Sequence, residues 1–270
     1  MRWGLIVLFL TISLGGSYLA IWLRPKGEDV ERYTYEVLKT YPHDPEAFTQ
    51  GLVYENGILW ESTGRLGESS IRKTKLETGE IIKKVDLADD LFGEGLALLN
   101  DQLYQLTWKN GIAIVYDRDL NKVSEFKYDG QGWGLTTNGT DLIFSDGSTV
   151  IKFLDPKTFE ERRSIRVRRP GGRRVGQLNE LECTGPNGRI YANRYLSDTI
   201  YEIDPDTGDV TKLIDLSGLW PTSERPLDGV LNGIAINTET KKILVTGKLC
   251  PSVWELRLFP EKTARATPID

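Results

Sequence analysis

The sequence predicts an all-β protein, a five-bladed β-propeller whose N-terminal strand completes the last blade, on three observations. Beyond residue 30 the helical period almost disappears, and short runs rich in Val, Ile, Leu, Tyr and Trp alternate with turns such as Glu55-Asn56-Gly57 and Asp206-Thr207-Gly208. A strand–turn–strand pattern then recurs five times, about every 40–50 residues, the spacing of a four-stranded blade. Finally, the fifth repeat shows three strands, whereas Tyr33-Thr34-Tyr35-Glu36-Val37-Leu38 is a strand without a neighbour in sequence. Pairing the two ends closes the ring and leaves few exposed edges. A generic β-sandwich is the competing architecture, and the regular period argues against it.

Taken in order, the chain begins with an apolar, uncharged stretch from Trp3 to Leu23, flanked by Arg2 on one side and by Arg24-Pro25-Lys26 on the other. Residues 1–26 are read as an export signal. Either it is an uncleaved signal-anchor helix, long enough to span a bilayer, or it is a cleaved signal peptide whose apolar core stops at Gly15-Gly16. Both readings make the protein extracytoplasmic, periplasmic or secreted, with a membrane tether through residues 3–23 in the first. The propeller is expected over residues 31–260, followed by a tail at 261–270. Its first strands are expected at Gly51-Leu52-Val53-Tyr54, Gly95-Leu96-Ala97-Leu98, Gly134-Leu135-Thr136-Thr137, Glu180-Leu181-Glu182-Cys183 and Gly233-Ile234-Ala235-Ile236. The second strands are expected at Ile58–Glu61, Leu103–Leu106, Leu142–Ser145, Ile190–Asn193 and Ile243–Thr246. The arginine run from Arg162 to Arg174 reads as a solvated loop between the third and fourth repeats.

Composition excludes several function classes. A hydrophobic fraction of 39% and a charged fraction of 27% are globular values, so disorder is not expected. The formal net charge is −5 although residues 1–26 contribute only cations, so the body is acidic and no nucleic-acid partner is expected. One histidine, His43, and two cysteines, Cys183 and Cys250, cannot build a His/Cys zinc site, and no EF-hand spacing is present. No metal and no cofactor are therefore expected. The two cysteines form one disulfide or remain buried thiols; the sequence leaves both open.

In a propeller the first strand of each blade lines the central channel, and the loops leading into it open on one face, where ligand sites are built. The residues at the starts of the first strands should converge there: Phe48 and Gln50, Phe92 and Glu94, Trp133, Asn179 and Glu180, and Asn232. The ends of the second strands add Trp108, Tyr195 and Lys248. Glu94, between two glycines in Phe92-Gly93-Glu94-Gly95-Leu96, is the candidate catalytic carboxylate; taken alone it would be a surface turn residue. A carboxylate sheltered by aromatic rings has its charged form disfavoured and becomes a better base. His43, beside a proline, reads as structural.

These motifs resemble those of the glutamine cyclotransferases, the plant-type glutaminyl cyclases also found in bacteria. The resemblance rests on Tyr41-Pro42-His43-Asp44 with Phe48-Thr49-Gln50-Gly51-Leu52, on Phe92–Leu96, Leu106-Thr107-Trp108-Lys109 and Gly132-Trp133-Gly134-Leu135, on Leu178-Asn179-Glu180-Leu181-Glu182, and on Val230–Ala235 with Val245–Leu249. It implies a five-bladed propeller enzyme, a transferase converting N-terminal glutamine of peptides and proteins to pyroglutamate with release of ammonia and without metal. It implies Glu94 as general acid/base, with Lys248, Asn179 and Gln50 as polar partners and Phe48, Phe92, Trp108, Trp133 and Tyr195 as pocket walls. The chain departs from the family at Tyr195 and Cys250, where tryptophans are usual, so an altered pocket shape is expected. A monomer is expected. The alternative is a non-catalytic propeller that binds a peptide or a partner protein on the same face.

Overall fold

The computed structural model describes residues 30–261. The expected anchor or signal stretch at 3–23 and nearly all of the expected tail lie outside the described residues. Strand β1 (Glu31–Pro42) comes first. Three antiparallel four-stranded sheets follow, each with its strands in chain order. The first contains β2 (Thr49–Glu55), β3 (Ile58–Thr63), β4 (Ser70–Lys75) and β5 (Ile81–Asp86). The second contains β6 (Gly93–Leu99), β7 (Gln102–Thr107), β8 (Ile112–Tyr116) and β9 (Lys122–Lys127). The third contains β10 (Leu135–Thr137), β11 (Leu142–Ser145), β12 (Val150–Leu154) and β13 (Glu161–Arg166).

The remaining strands are β14 (Leu178–Cys183), β15 (Ile190–Arg194), β16 (Thr199–Ile203), β17 (Val210–Asp215), β18 (Leu231–Asn237), β19 (Lys242–Gly247) and β20 (Ser252–Pro260). With β1 they form one eight-stranded sheet in the order β14-β15-β16-β17-β1-β20-β19-β18. Strand β1 runs antiparallel to β20 over Tyr33–Pro42 and parallel to β17 at Glu31–Tyr33. The N-terminal strand therefore does join the last repeat, as its missing partner predicted. The same strand also stitches the fourth and fifth repeats into a single sheet, because its first three residues extend alongside Lys212–Ile214.

In each of the three four-stranded sheets the first strand is mostly buried and the last mostly exposed. Strand β6 is almost wholly buried and β9 almost wholly exposed, and β2 and β5 contrast in the same way. Apolar clusters fill the spaces between neighbouring sheets; one packs Trp60 and Ile71 of the first sheet against Leu96, Leu103 and Ile114 of the second. At about 25 cal/mol per Å² of apolar surface removed from water, this inter-sheet packing is the main force holding the sheets face to face.

The first strands also touch one another. A Cβ on Gly95 would lie 2.3 Å from the Leu135 nitrogen, and one on Gly134 would lie 2.0 Å from the Asn179 carbonyl oxygen, so only glycine permits these approaches. The Gly95 N–H donates to the Trp133 carbonyl, and buried Glu180 accepts hydrogen bonds from the Leu52 and Ile234 amides. Glu182 accepts from the Ile236 amide and the Thr136 hydroxyl, and burial pushes its pKa up to about 7. Glu180 and Glu182 thus hold the inner strands together; Glu182 also lines a cavity of about 490 Å³ beside Cys183 and Tyr191.

One local expectation changes, and one alternative left open by the sequence is decided. The arginine run is not a single solvated loop: Arg162, Arg163 and Arg166 belong to β13, where Arg162 pairs with Asp141 and Asp155 and Arg163 lies over Phe153. Cys183 and Cys250 are both free thiols.

Candidate active site

Four of the inner strands carry a β-bulge at their beginning. The register slips between Thr49 and Gly51 in β2, Gly93 and Leu96 in β6, Leu178 and Leu181 in β14, and Leu231 and Ile234 in β18. The unpaired residues at these slips are Gln50, Glu94-Gly95, Asn179-Glu180 and Asn232-Gly233. A bulge adds a residue to one strand and re-aims side chains that regular alternation would send into the sheet packing. The polar side chains that interrupt each apolar strand are therefore released from the sheet where it begins.

Gln50, Glu94 and Asn179 line one cavity of about 320 Å³ together with Phe48, Phe92, Trp108, Trp133, Tyr195, Lys248 and Asp228. Nine of those ten are the residues singled out from sequence. Trp108, Tyr195 and Lys248 follow directly on the second strands β7, β15 and β19, as expected.

The walls are aromatic and mutually braced. Phe92 meets Phe48 edge-on at 6.1 Å between centroids and Trp108 at 5.7 Å, and Trp133 meets Tyr195 edge-on at 5.6 Å. The Trp108 indole N–H donates to Gln131 at 2.8 Å, which fixes that ring. The Lys248 ammonium lies 4.8 Å from the Phe48 ring centroid and 5.4 Å from that of Tyr195, between two electron-rich faces.

Glu94 is buried and accepts one hydrogen bond, 2.9 Å from Gln50 Nε2. Gln50 in turn accepts through Oε1 from Asn232 Nδ2 at 3.4 Å, and Asn232 Oδ1 accepts from Asn179 Nδ2 at 2.9 Å. A row of three amides from three strands thus ends on the carboxylate. Burial raises the Glu94 pKa well above the usual carboxylate value, and the nearby positive charge of Lys248 opposes this. Burial lowers the Lys248 pKa, with Glu94 and Asp228 acting the other way. The cavity therefore holds a carboxyl group that takes up and gives back a proton readily, beside a cation with few water neighbours.

Asp228 is the lining residue that sequence reasoning missed. It sits in a loop without periodicity, in the left-handed conformation at φ 68°, with its carboxylate 3.8 Å from Arg65 at the rim. Arg65 also lies over Phe48, 4.7 Å from the ring centroid. Cys250, where an altered pocket was expected, belongs to the apolar core: it is fully buried against Trp220 and Trp254 and does not line the cavity. Among the described residues, no three His, Cys, Asp or Glu side chains come together in a way that could hold a metal ion.

Residues 10–258 match the family model described as glutamine cyclotransferase. The chain is similar to the glutaminyl-peptide cyclotransferase of Arabidopsis thaliana, with 43% identity over 232 residues that cover 83% of this chain and 71% of that protein. It is also similar to the crystal structure of Myxococcus xanthus glutaminyl cyclase, with a TM-score of 0.80, 36% identity, and coverage of 87% of this chain and 100% of the other.

Proposed function

The chain belongs to the glutamine cyclotransferase family and is a glutaminyl-peptide cyclotransferase, and from that premise we propose how its cavity performs the reaction. The observation that carries the proposal is the Glu94 carboxylate, buried among aromatic rings and facing Lys248 and the Gln50 amide. The N-terminal glutamine of a peptide enters the cavity, and Phe48, Phe92, Trp108, Trp133 and Tyr195 hold its side chain curled, so that the α-amine lies against its own γ-carboxamide carbon. Fixing that conformer supplies most of the proximity an intramolecular attack needs.

Bond formation between the α-nitrogen and the γ-carbon makes the nitrogen acidic and places negative charge on the carbonyl oxygen. Glu94 takes a proton from the nitrogen and delivers it to the departing amide nitrogen, which leaves as ammonia; the C–NH2 bond breaks and Glu94 is restored to its starting state. Lys248, with amide donors from Gln50 and Asn179, stabilises the oxyanion. No step requires a metal ion or cofactor.

We read the twenty strands as five four-stranded blades, the fifth completed by β1. The closed circuit of contacts among β2, β6, β10, β14 and β18 supports this, as do the bulges of β2, β6 and β14, whose Gln50, Glu94 and Asn179 open on one cavity. Residues 31–260 form the catalytic propeller, with 261–270 as a tail. The apolar stretch at 3–23 supports export, with retention at the membrane where it is not cleaved.

The test is incubation of the purified protein with Gln-initiated peptides, following ammonia release and the loss of one ammonia mass from the peptide. Both should appear together and be insensitive to chelators. Peptide left unchanged would refute the reading, and activity lost to EDTA and restored by zinc would refute its metal-free chemistry.

A further inference from the structure

We propose that His43 is a positioning residue, held as an imidazolium behind the cavity, where it fixes the two polar groups that face Glu94. The inference rests on the reading of that cavity as the catalytic site. His43 is the only histidine of the chain and is buried. Both ring nitrogens face oxygen: Nδ1 lies 2.6 Å from the Cys250 carbonyl and Nε2 lies 3.0 Å from Glu61 Oε1. A backbone carbonyl cannot donate, so Nδ1 must carry a hydrogen. The Glu61 oxygen also accepts from the Thr49 hydroxyl at 2.6 Å, as an ionised carboxylate does, so Nε2 carries a hydrogen as well. Two ring hydrogens make a cation.

The groups packed around the ring agree with that charge. Glu61 comes from β3, Thr49 from β2, and Arg72 from β4, the last paired with Asp44 next to His43 itself. From the other side come Thr246 of β19, whose hydroxyl donates to the Ser252 carbonyl, and the Cys250 thiol, neutral because burial pushes its pKa up to about 11. Two cations thus face two carboxylates. Burial opposes charge on His43, but Glu61, the Cys250 carbonyl and Asp44 outweigh it and hold the pKa above the ordinary histidine value. Burial likewise opposes charge on Glu61, and His43, Arg72 and Thr49 outweigh that, holding its pKa low.

This cluster supports both polar arms of the site. The turn after β19 that carries Lys248 is gripped by the segment around His43: the Leu249 amide donates to the Ala47 carbonyl at 2.7 Å, the His43 amide to the Pro251 carbonyl at 3.0 Å, and the imidazolium to the Cys250 carbonyl. Leu249 adopts φ 59°, a left-handed conformation that an apolar residue keeps only when its surroundings hold it there. Thr49, anchored to the same Glu61 oxygen, immediately precedes Gln50, which donates to Glu94. One ion pair therefore sets where Lys248 and Gln50 reach.

The test uses the single histidine as its own probe. Imidazole ¹⁵N spectra of the untagged enzyme should show both ring nitrogens protonated across the neutral range; a neutral tautomer at pH 7 would overturn the proposal, whatever the activity. In Glu61→Gln the counter-charge is gone and the His43 pKa should fall below its wild-type value. Its kcat should then decline about tenfold or more along the same pH curve as the ring loses its proton, with KM nearly constant. A kcat indifferent to that titration would also overturn it. Because the spectra do not depend on turnover, an enzyme that cyclises no Gln peptide would refute the catalytic reading of the cavity while leaving the charge on His43 separately decided.

Discussion

Replacing Glu94 by glutamine removes a proton carrier while leaving the shape of the cavity almost untouched. The new amide is close to isosteric, and its oxygen can still accept the 2.9 Å hydrogen bond from Gln50. The other carboxylate lining the cavity, Asp228, sits at the rim beside Arg65 and is not enclosed by the aromatic walls, so no second base stands ready. General acid–base catalysis contributes about 10²–10⁴ in rate, and without a substitute base the loss should reach about 10³-fold in kcat, or roughly 4 kcal/mol of barrier. KM should move little, because the aromatic walls remain. Stability should change in the opposite sense. Burial raises the carboxyl pKa, so above the unfolded value of about 4.3 the unfolded chain gives up a proton that the folded protein keeps. Wild type therefore loses stability as pH rises from that value towards the folded one, and Glu94→Gln does not. Ammonia release under saturating peptide, with melting curves at about pH 4 and about pH 8, reads both effects. A variant within about threefold of wild-type kcat would refute the role given to Glu94. A variant with no relative gain in melting temperature at the higher pH would refute the account of its burial.

Other perturbations probe the neighbours. The positive charge of Lys248 lowers the Glu94 pKa, so Lys248→Met should move the acid limb of kcat/KM to higher pH; a limb that stays in place would mean the two groups are not coupled. Tyr195→Phe keeps the ring against Trp133 and Lys248 and should leave kcat/KM within about twofold. Tyr195→Ala gives up about 1.4 kcal/mol of ring contacts, or about tenfold in kcat/KM, and equal effects of the two changes would contradict a wall role. Gly134→Ala forces a Cβ against the Asn179 carbonyl at 2.0 Å, on backbone that cannot swing aside. A cost on the order of 3 kcal/mol should lower the melting temperature by about 6–12 °C, and an unchanged melt would show that the inner strands separate easily.

Much of this is legible in the sequence alone. The apolar runs and their turns located the five first strands because strand pairing and burial depend on local alternation. The nine cavity residues were legible because they sit at repeat-equivalent positions, so one register aligned them all. What stayed hidden depends on contacts between distant parts of the chain. Asp228 lies in a loop that no repeat aligns. The parallel pairing of Glu31–Tyr33 with β17 leaves no mark in either strand. The bulges appear in sequence only as a polar residue interrupting an apolar run, which a simple turn would also explain. His43 read as structural because its charge comes from Glu61 and the Cys250 carbonyl, 18 and 207 residues away in the chain. Cys250, two residues past Lys248, was misjudged for a similar reason: the apolar cluster that buries it gathers side chains from distant strands.

The pairing of the first described strand with the last has a consequence for biosynthesis. Tyr41 of β1 donates its hydroxyl to Glu255 of β20, 214 residues later. While the chain emerges from the ribosome β1 has neither lateral neighbour, and the turn bearing Lys248 does not yet exist. Contacts so distant in sequence form late and slowly. The protein is therefore inert throughout translation and, where it is exported through a narrow pore, throughout passage as well. An N-terminal glutamine presented to such a chain can be cyclised only after its final strand has docked.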